Sequence, residues 1–452
     1  MRLRKTITTI VATAILLAGW QLFAVIANQP ELIPSLPRLV RTLCEWLVSG
    51  SFYQSVGATM LRGILGMSIS FVCAIGMAGL FARFEWVYEL FRPLLAIMRS
   101  IPVISFILLA LIFLNPESIP LMIAFLTMFP LLTENLTRGI LDLRPGLSIM
   151  ARQFHIKRSN VLFQIIYPQL KPFLYSGLAS AAGFGWRAII MGEVLSQCAF
   201  GIGSEMKRAQ NFIAVPELLA WTIVAVFISF FFDKGISKVT DITPKISFAN
   251  EDQTIPTPTL SVLDTKDISY QYGIQHFSHS FQKGIIYGIS APSGKGKTTL
   301  LNLIGGILLP TEGEIHPTRH FGIATIFQQP QLLPYLTAEE NIILPLSSFL
   351  TEEKARRIAQ KHLQEMEMEP FGNRYPKELS YGQQQRIAIA RALASPSPLL
   401  LMDEPFKGLD EALSHRIIER IREKQMKEER IILFTSHNPD EIRLLADEVI
   451  YL

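Results

Sequence analysis

Between Arg62 and Arg83 the chain runs from Gly63 to Ala82 without a charged side chain. An uncharged apolar run of about 20 residues makes a helix about 30 Å long, the thickness of a bilayer's hydrocarbon core. Comparable runs cover Thr6–Pro30, Ser100–Pro116, Ser118–Thr133, Pro172 to about Ser196, and Leu218–Phe232. Glu117 and a proline separate the third and fourth runs, which read as two spans joined by a tight turn. The first run follows Arg2, Arg4 and Lys5, as a signal peptide's would. It is long and has no obvious small-residue cleavage site, so it reads as a retained helix. Six spans place both ends of this half on one side of a membrane.

Basic residues choose the side. Arg2, Arg4, Lys5, Arg83, Arg92, Arg138, Arg144, Arg152, Lys157, Arg158, Lys171, Lys234, Lys238 and Lys245 share one face in this topology. The opposite loops hold Arg38, Arg41, Lys207 and Arg208, partly balanced by Glu31, Glu45 and Glu205. The first face is therefore cytoplasmic. The same bias accounts for the net charge of +4, which gives no reason to invoke nucleic acid. Arg62, Arg99, Arg187 and Glu193 lie in or beside spans, where a charge costs several kcal/mol unless paired or wetted. They read either as a pathway lining that favours an anion, or as snorkelling groups and interhelical ion pairs. Arg187 and Glu193, six apart, do not share a helix face.

A chain of 452 residues exceeds one ordinary core. Its composition, 49% hydrophobic and 18% charged, is unevenly divided. The apolar runs end near Lys245, and beyond Pro258 apolar and charged stretches alternate as in a globular enzyme. The intervening stretch, Thr240 to Thr259, has three prolines and no periodicity, which predicts an extended linker. Residues 1–245, 246–259 and 260–452 are thus expected as membrane domain, linker and globular domain. Cys44, Cys73 and Cys198, all in the apolar half, offer neither a metal site nor a disulfide framework.

In the globular half an apolar strand, Ile285–Ser290, is followed by Ala291, Pro292, Ser293, Gly294, Lys295, Gly296, Lys297 and Thr298, and then by a helix opening at Thr299. Strand, glycine-rich turn and helix form the setting of a phosphate-binding loop. Small residues let backbone N–H groups converge on phosphate oxygens at a helix N-terminus. Lys297 supplies a point charge to the β- and γ-phosphates of ATP, and the Thr298 hydroxyl a ligand for Mg²⁺. Ala291 stands where such loops begin with glycine, at a cost of about 1–2 kcal/mol if that position needs a positive φ.

With this loop in place, the half resembles ABC-type ATPases over nearly its whole length. The strand Leu399–Met402 ends in Asp403 and Glu404. The resemblance implies that Asp403 holds Mg²⁺ through water and that Glu404 polarises the attacking water as general base. Leu379-Ser380-Tyr381-Gly382-Gln383 resembles the ABC signature, in which Ser380, Gly382 and Gln383 would face the γ-phosphate bound on another protomer. Tyr381 replaces the usual first glycine, and either narrows that approach or points outward. Gln328 matches the glutamine that senses Mg²⁺ and water, His437 the switch histidine, and Leu409-Asp410 the loop that crosses the dimer interface. Tyr272, before a glycine at the family's spacing, is the expected adenine-stacking residue, with Tyr270 the alternative.

The first half resembles the permeases of binding-protein-dependent ABC importers, in particular the nitrate, sulfonate and taurine branch, over about residues 30–232. The long loop from Ile140 to Lys171 matches the family's coupling motif at Ala151, Ile165 and Pro168, with Ile149, Met150, His155 and Tyr167 at its other positions. Tyr175, Gly177, Leu178 and the stretch Trp186–Glu193 follow it in family order, and Ile33-Pro34-Ser35 and Arg62-Gly63 precede it.

The implied architecture is an α-helical polytopic domain of six transmembrane helices fused to an α/β P-loop ABC ATPase. The implied protein sits in the plasma (inner) membrane with its ATPase in the cytoplasm. It works as a homodimer, because each site takes Lys297 from one chain and Ser380 from another. It imports a small solute, an organic anion such as a sulfonate or a vitamin precursor, delivered by a separate solute-binding protein. An exporter, or a hydrolysis-impaired membrane sensor marked by Ala291 and Tyr381, are the alternatives.

Overall fold

Contacts divide the chain into two units, Met1–Leu143 with Gln169–Ile242, and Arg144–Pro168 with Thr243–Leu452. The computed structural model describes residues 2–240, 244–252, 260–271, 273–292, 294–317 and 322–452. The first unit is helical: α1 (Arg2–Ala27), α2 (Leu36–Trp46), α3 (Gly50–Arg83), α4 (Glu85–Ser100), α5 (Val103–Phe113) and α6 (Ile119–Leu141). The chain then passes through α7 (Pro145–Gln153) of the second unit and returns with α8 (Tyr167–Ser196), α9 (Ile202–Asn211) and α10 (Val215–Thr240).

Among the described residues, four stretches are long and apolar enough to cross a membrane: Gly50–Arg83, Pro116–Leu141, Arg158–Ser196 and Val215–Lys238. The expected third span, Ser100–Pro116, is instead the second arm of a pair, α4 and α5, bent by 94°. Pro102 has no N–H to continue α4, and it forces Ile101 into an extended conformation with ψ 130°. The expected first span is α1, whose Val11–Ala27 portion is apolar but shorter. Among the described residues, length and composition alone therefore give four spans, or five with the bent pair, against the six expected.

Small residues hold this unit together. Along α3, Thr59, Gly63, Gly66, Ser70, Ala74 and Ala78 are buried at helical spacing. A Cβ on Gly66 would lie 2.6 Å from Ala124 Cβ of α6, so the two backbones approach as only glycine permits. Three of the four intramembrane charges are paired between helices. Arg62 reaches Glu193 and Glu117 at 2.7 Å each, and Arg99 pairs with Glu134. Arg187 is exposed, with no ion pair among the described residues. On the loops of the expected outer face, Arg38 pairs with Glu31 and Arg208 with Glu205. All three cysteines are free thiols.

Among the described residues the second unit carries eight strands: β1 (Val262–Tyr270), β2 (Ile274–Gln282), β3 (Ile286–Ser290), β4 (Glu312–His316), β5 (Ile323–Ile326), β6 (Leu399–Asp403), β7 (Ile431–Thr435) and β8 (Glu448–Tyr451). An antiparallel sheet is ordered β2-β1-β4 and a parallel one β5-β6-β7-β3-β8. The residues of β6 and β7 are all buried, the continuous apolar run expected of a parallel sheet covered on both faces. Around the sheets lie α11 (Lys297–Ile304), α12 (Ala338–Leu346), α13 (Glu352–Glu365), α14 (Tyr381–Ala394), α15 (Glu411–Glu428) and α16 (Pro439–Leu445). Since β6, β7 and β3 are neighbours, their carboxyl ends open side by side, where α/β sheets place ligands.

Residues 144–168 group with this unit rather than with the membrane helices flanking them in sequence. Leu147, Met150, Ala151, Phe154, Ile156 and Ile165 join one core with Ile326, Leu333, Ile343 and Ile387. The chain turns after α7 at His155, φ 51°, in the left-handed region that favours glycine. Asn160, 1% exposed, then clasps the segment that follows the last span. Its amide donates to the Ser247 carbonyl at 2.8 Å and to Ser347 Oγ at 2.9 Å, and its oxygen accepts from Ser247 N at 2.8 Å. Gln164 Nε2 donates to the Pro244 carbonyl at 2.8 Å, and Ile246 and Phe248 pack on the core. The expected linker, 246–259, thus begins as an ordered strip. Residues 253–259 lie outside the described residues.

Candidate functional site

The phosphate loop leaves β3 at Ser290 and enters α11 at Lys297. Gly294 and Gly296 carry its positive dihedrals, φ 81° and 88°, and a Cβ on Gly296 would lie 2.6 Å from the Gly273 carbonyl. These are the positions that require glycine. Ala291 has no positive φ, so its departure from the resembled sequence carries no backbone cost. Lys295 N donates to the Pro292 carbonyl at 3.3 Å, and Thr299, one residue into α11 beyond Thr298, lies beside Gly273. Ser293 and Tyr272, both expected at the nucleotide, lie outside the described residues. Lys297 is buried, its amine donating to the Ala291 carbonyl at 2.7 Å and lying 3.4 Å from His437 Nδ1. A buried cation at the end of a glycine-rich turn that opens a helix suits a phosphate chain.

Thr298 Oγ1 donates to Asp403 Oδ2 at 2.8 Å, and Thr435 Oγ1 donates to Asp403 Oδ1 at 2.8 Å. A hydroxyl and a carboxylate in contact are hard oxygen donors that fit a Mg²⁺ completed by phosphate and water. Among the described residues no group of three histidine, cysteine or acidic side chains surrounds a metal position, as an all-protein metal cage would need.

Glu404 has φ 48°, a left-handed conformation held by its N–H donating to Thr435 Oγ1 at 3.0 Å. The turn aims its carboxylate back over the strand ends. Oε1 lies 3.0 Å from His437 Nε2 and Oε2 lies 3.2 Å from Lys407 Nζ. Burial pushes its pKa up, but hydrogen bonds from Lys407 and from the Gln328 side chain, with the charges of Lys407 and His437, outweigh this and hold it below the usual range. Glu404 is therefore an ionised acceptor at neutral pH. His437 follows β7, and Ser436 beside it bonds Glu441. The loop thus brings Lys297, Thr298, Asp403, Glu404, Gln328 and His437 together.

Ser380 caps α14 in a reciprocal box, its hydroxyl accepting from Gln383 N at 3.3 Å while its N–H donates to Gln383 Oε1 at 2.9 Å. A Cβ on Gly382 would lie 2.6 Å from the Gly408 carbonyl, so the signature helix starts against the loop that follows Glu404. Within one chain, the side-chain hydrogen bonds of Ser380 and Gln383 close this box and, among the described residues, reach neither Lys297 nor Thr298. Reading the sequence missed Lys407 and Thr435. The threonine closes the apolar strand β7 opposite Asp403, a signal visible only once strand order is known.

The family model described as ABC transporter matches residues 274–407. The one described as binding-protein-dependent transport system inner membrane component matches residues 66–233. An uncharacterized ABC transporter ATP-binding protein of Methanocaldococcus jannaschii is 34% identical over 201 residues, 40% of this chain and 85% of the relative. The thiamine import ATP-binding protein ThiQ of Yersinia pseudotuberculosis is 34% identical over 205 residues, 42% and 86% of the two chains. The glucose import ATP-binding protein GlcV of Saccharolobus solfataricus is 35% identical over 185 residues, 38% of this chain; the chain spans 52% of that relative's length. A solved dimeric cassette in a post-hydrolysis state bound to ADP and Pi is similar at TM-score 0.40 and 32% identity, over 42% of this chain and 94% of that one.

Proposed function

Because the chain belongs to the ABC transporter family, carrying its ATPase and an importer-type permease in one polypeptide, we propose that it imports a small solute handed over by a separate binding protein. The observation that carries the coupling is the membership of residues 144–168 in the ATPase unit, with Met150, Ala151, Phe154 and Ile165 inside its core. A segment bounded at both ends by membrane helices and buried in the ATPase moves when the ATPase moves. Six spans in the plasma membrane, with α1 and the bent pair each counted, would leave that segment and the ATPase in the cytoplasm, where the basic loops lie.

In the proposed cycle two chains pair with C₂ symmetry, and ATP lies between Lys297 of one and Ser380, Gly382 and Gln383 of the other. Tyr272 or Tyr270 stacks on the adenine. Thr298 and Asp403, with Gln328 nearby, would hold a Mg²⁺ ion that neutralises developing phosphate charge. Glu404 accepts the proton of the attacking water as its oxygen bonds to the γ-phosphorus and the β–γ bridging bond breaks. His437 and Lys407 orient the carboxylate. Closure of the paired ATPases shifts the permease between two states of different solute affinity. The ion pairs of Arg62 and Arg99 support a structural role for these arginines.

ATP turnover in nanodiscs tests the site. Glu404→Gln removes the proton acceptor at nearly constant size, and turnover is expected to fall at least about 100-fold while nucleotide still binds. Turnover that resists this change would sink the assignment of Glu404 as the base.

A further inference from the structure

Tyr381 opens α14 where the resembled signature carries a glycine, and its exposed side chain lies over the catalytic loops of its own chain. The ring lies on Gly408, whose φ is 79° and where an added Cβ would meet Tyr381 Cδ1 at 2.7 Å. A side chain at 408 would therefore displace the ring. The hydroxyl continues past this loop and donates a 2.7 Å hydrogen bond to the Gln328 main-chain carbonyl. The Gln328 side chain in turn lies beside Glu404 and helps to hold its carboxyl below the usual range. Near the other end of α14, Arg391 Nη1 donates to the Gln331 carbonyl at 2.6 Å, and its guanidinium stacks on Phe154 at 5.2 Å. Tyr381 and Arg391 are close to three helical turns apart, so one rigid helix grips the 328–331 loop at both ends. Glycine at 381 would leave the catalytic end of this loop ungripped.

We propose that Tyr381 is a positioning residue for ATP hydrolysis, its hydroxyl fixing the main chain at Gln328 so that the Gln328 side chain holds Glu404 toward the attacking water. The proposal rests on the roles given above to Gln328 and Glu404. It also explains why a bulky residue is accommodated at the signature. Instead of blocking the nucleotide's approach, the ring folds back over Gly408 and ties the signature helix to the catalytic loop of the same chain.

Steady-state ATP turnover of the full chain in nanodiscs, with saturating Mg²⁺, tests this. Y381F removes the hydroxyl alone and keeps the ring on Gly408. Its kcat is expected to fall about tenfold with KM for ATP within about twofold, since a bound substrate meets a misplaced catalytic group. Y381G, which loses the ring as well, falls at least as far. In the background of Q328A, adding Y381F is expected to cost nothing further, because the hydroxyl acts through that glutamine. A Y381F kcat within twofold of wild type, a rise in KM at unchanged kcat, or multiplied losses in the double variant would each overturn the assignment. A Q328A chain of normal kcat would remove the premise itself, whereas normal Y381F beside a crippled Q328A removes only the role of Tyr381.

Discussion

Ala291 departs from the resembled loop at its first position and costs the backbone nothing, while Gly294 and Gly296 carry the left-handed dihedrals. What the loop requires is glycine at particular φ values, and the hydrolysis-impaired alternative draws no support from residue 291. A different residue makes the ATPase unit sensitive to acid. His362 on α13 is buried, with Nε2 3.1 Å from Lys424 Nζ and Nδ1 2.7 Å from Glu365 Oε2. The lysine donates to Nε2, so the ring proton sits on Nδ1. Burial, then the charges of Lys424, Lys361 and Arg430, pull its pKa from 6.5 to about 3. The unfolded chain therefore binds a proton between about pH 3 and 6.5 that the folded chain refuses. Stability should rise with pH across that window, by at most about 1.4 kcal/mol per pH unit from this group, and be fully present above it. Thermal unfolding of the full chain between pH 4.5 and 7 checks this, with H362Q expected to flatten the slope. An unchanged slope would mean that other groups carry it.

At the scale of elements, what could be read from the sequence was what is local. A strand, a glycine turn and a helix between residues 285 and 304 announce a phosphate loop because all its parts are neighbours in the chain. The uncharged run from Gly63 to Ala82 announces a span by length alone. The bend at Ile101-Pro102 was readable in principle, since proline biases its predecessor away from helix, but the continuous apolar run hid it. Illegible were the contacts between distant segments: Thr435 beside Asp403, Tyr381 on Gln328, and Asn160 on Ser247. Polar residues in loops carry no periodicity that points to a partner 87 residues away. The clasp of Asn160 is testable at its own scale. N160A leaves the Ser247 N–H and carbonyl without their buried partner, at about 1–3 kcal/mol. Hydrogen exchange in the full chain should then quicken about tenfold or more over both 161–166 and 244–250, while α11 is unchanged. Faster exchange confined to residue 160 and its neighbours would mean that the strip holds its place without the clasp.

For the whole molecule the decisive matter is whether the proposed nucleotide pocket is completed by a second chain. In one chain Lys297 points to its own loop, and Ser380 and Gln383 bond each other. A pocket shared across a C₂ pair makes an arithmetic prediction that a self-contained pocket does not. Lys297→Ala spoils the phosphate side of a chain's own site, and Ser380→Arg spoils the side it lends to its neighbour. Each variant alone spoils both sites of its homodimer and should be near background. In a mixed dimer both lesions fall on the same site, so the other keeps an intact lysine and an intact serine. Equal co-expression gives mixed dimers in half the population, each with one of two sites, and about a quarter of wild-type turnover if the sites act independently. Mixed dimers isolated through two different tags should show about half. Should they remain at background while wild-type dimers purified in the same way turn over, two intact sites are needed together; should either variant be active alone, or the wild-type chain hydrolyse at full speed as a monomer, the pocket is not shared.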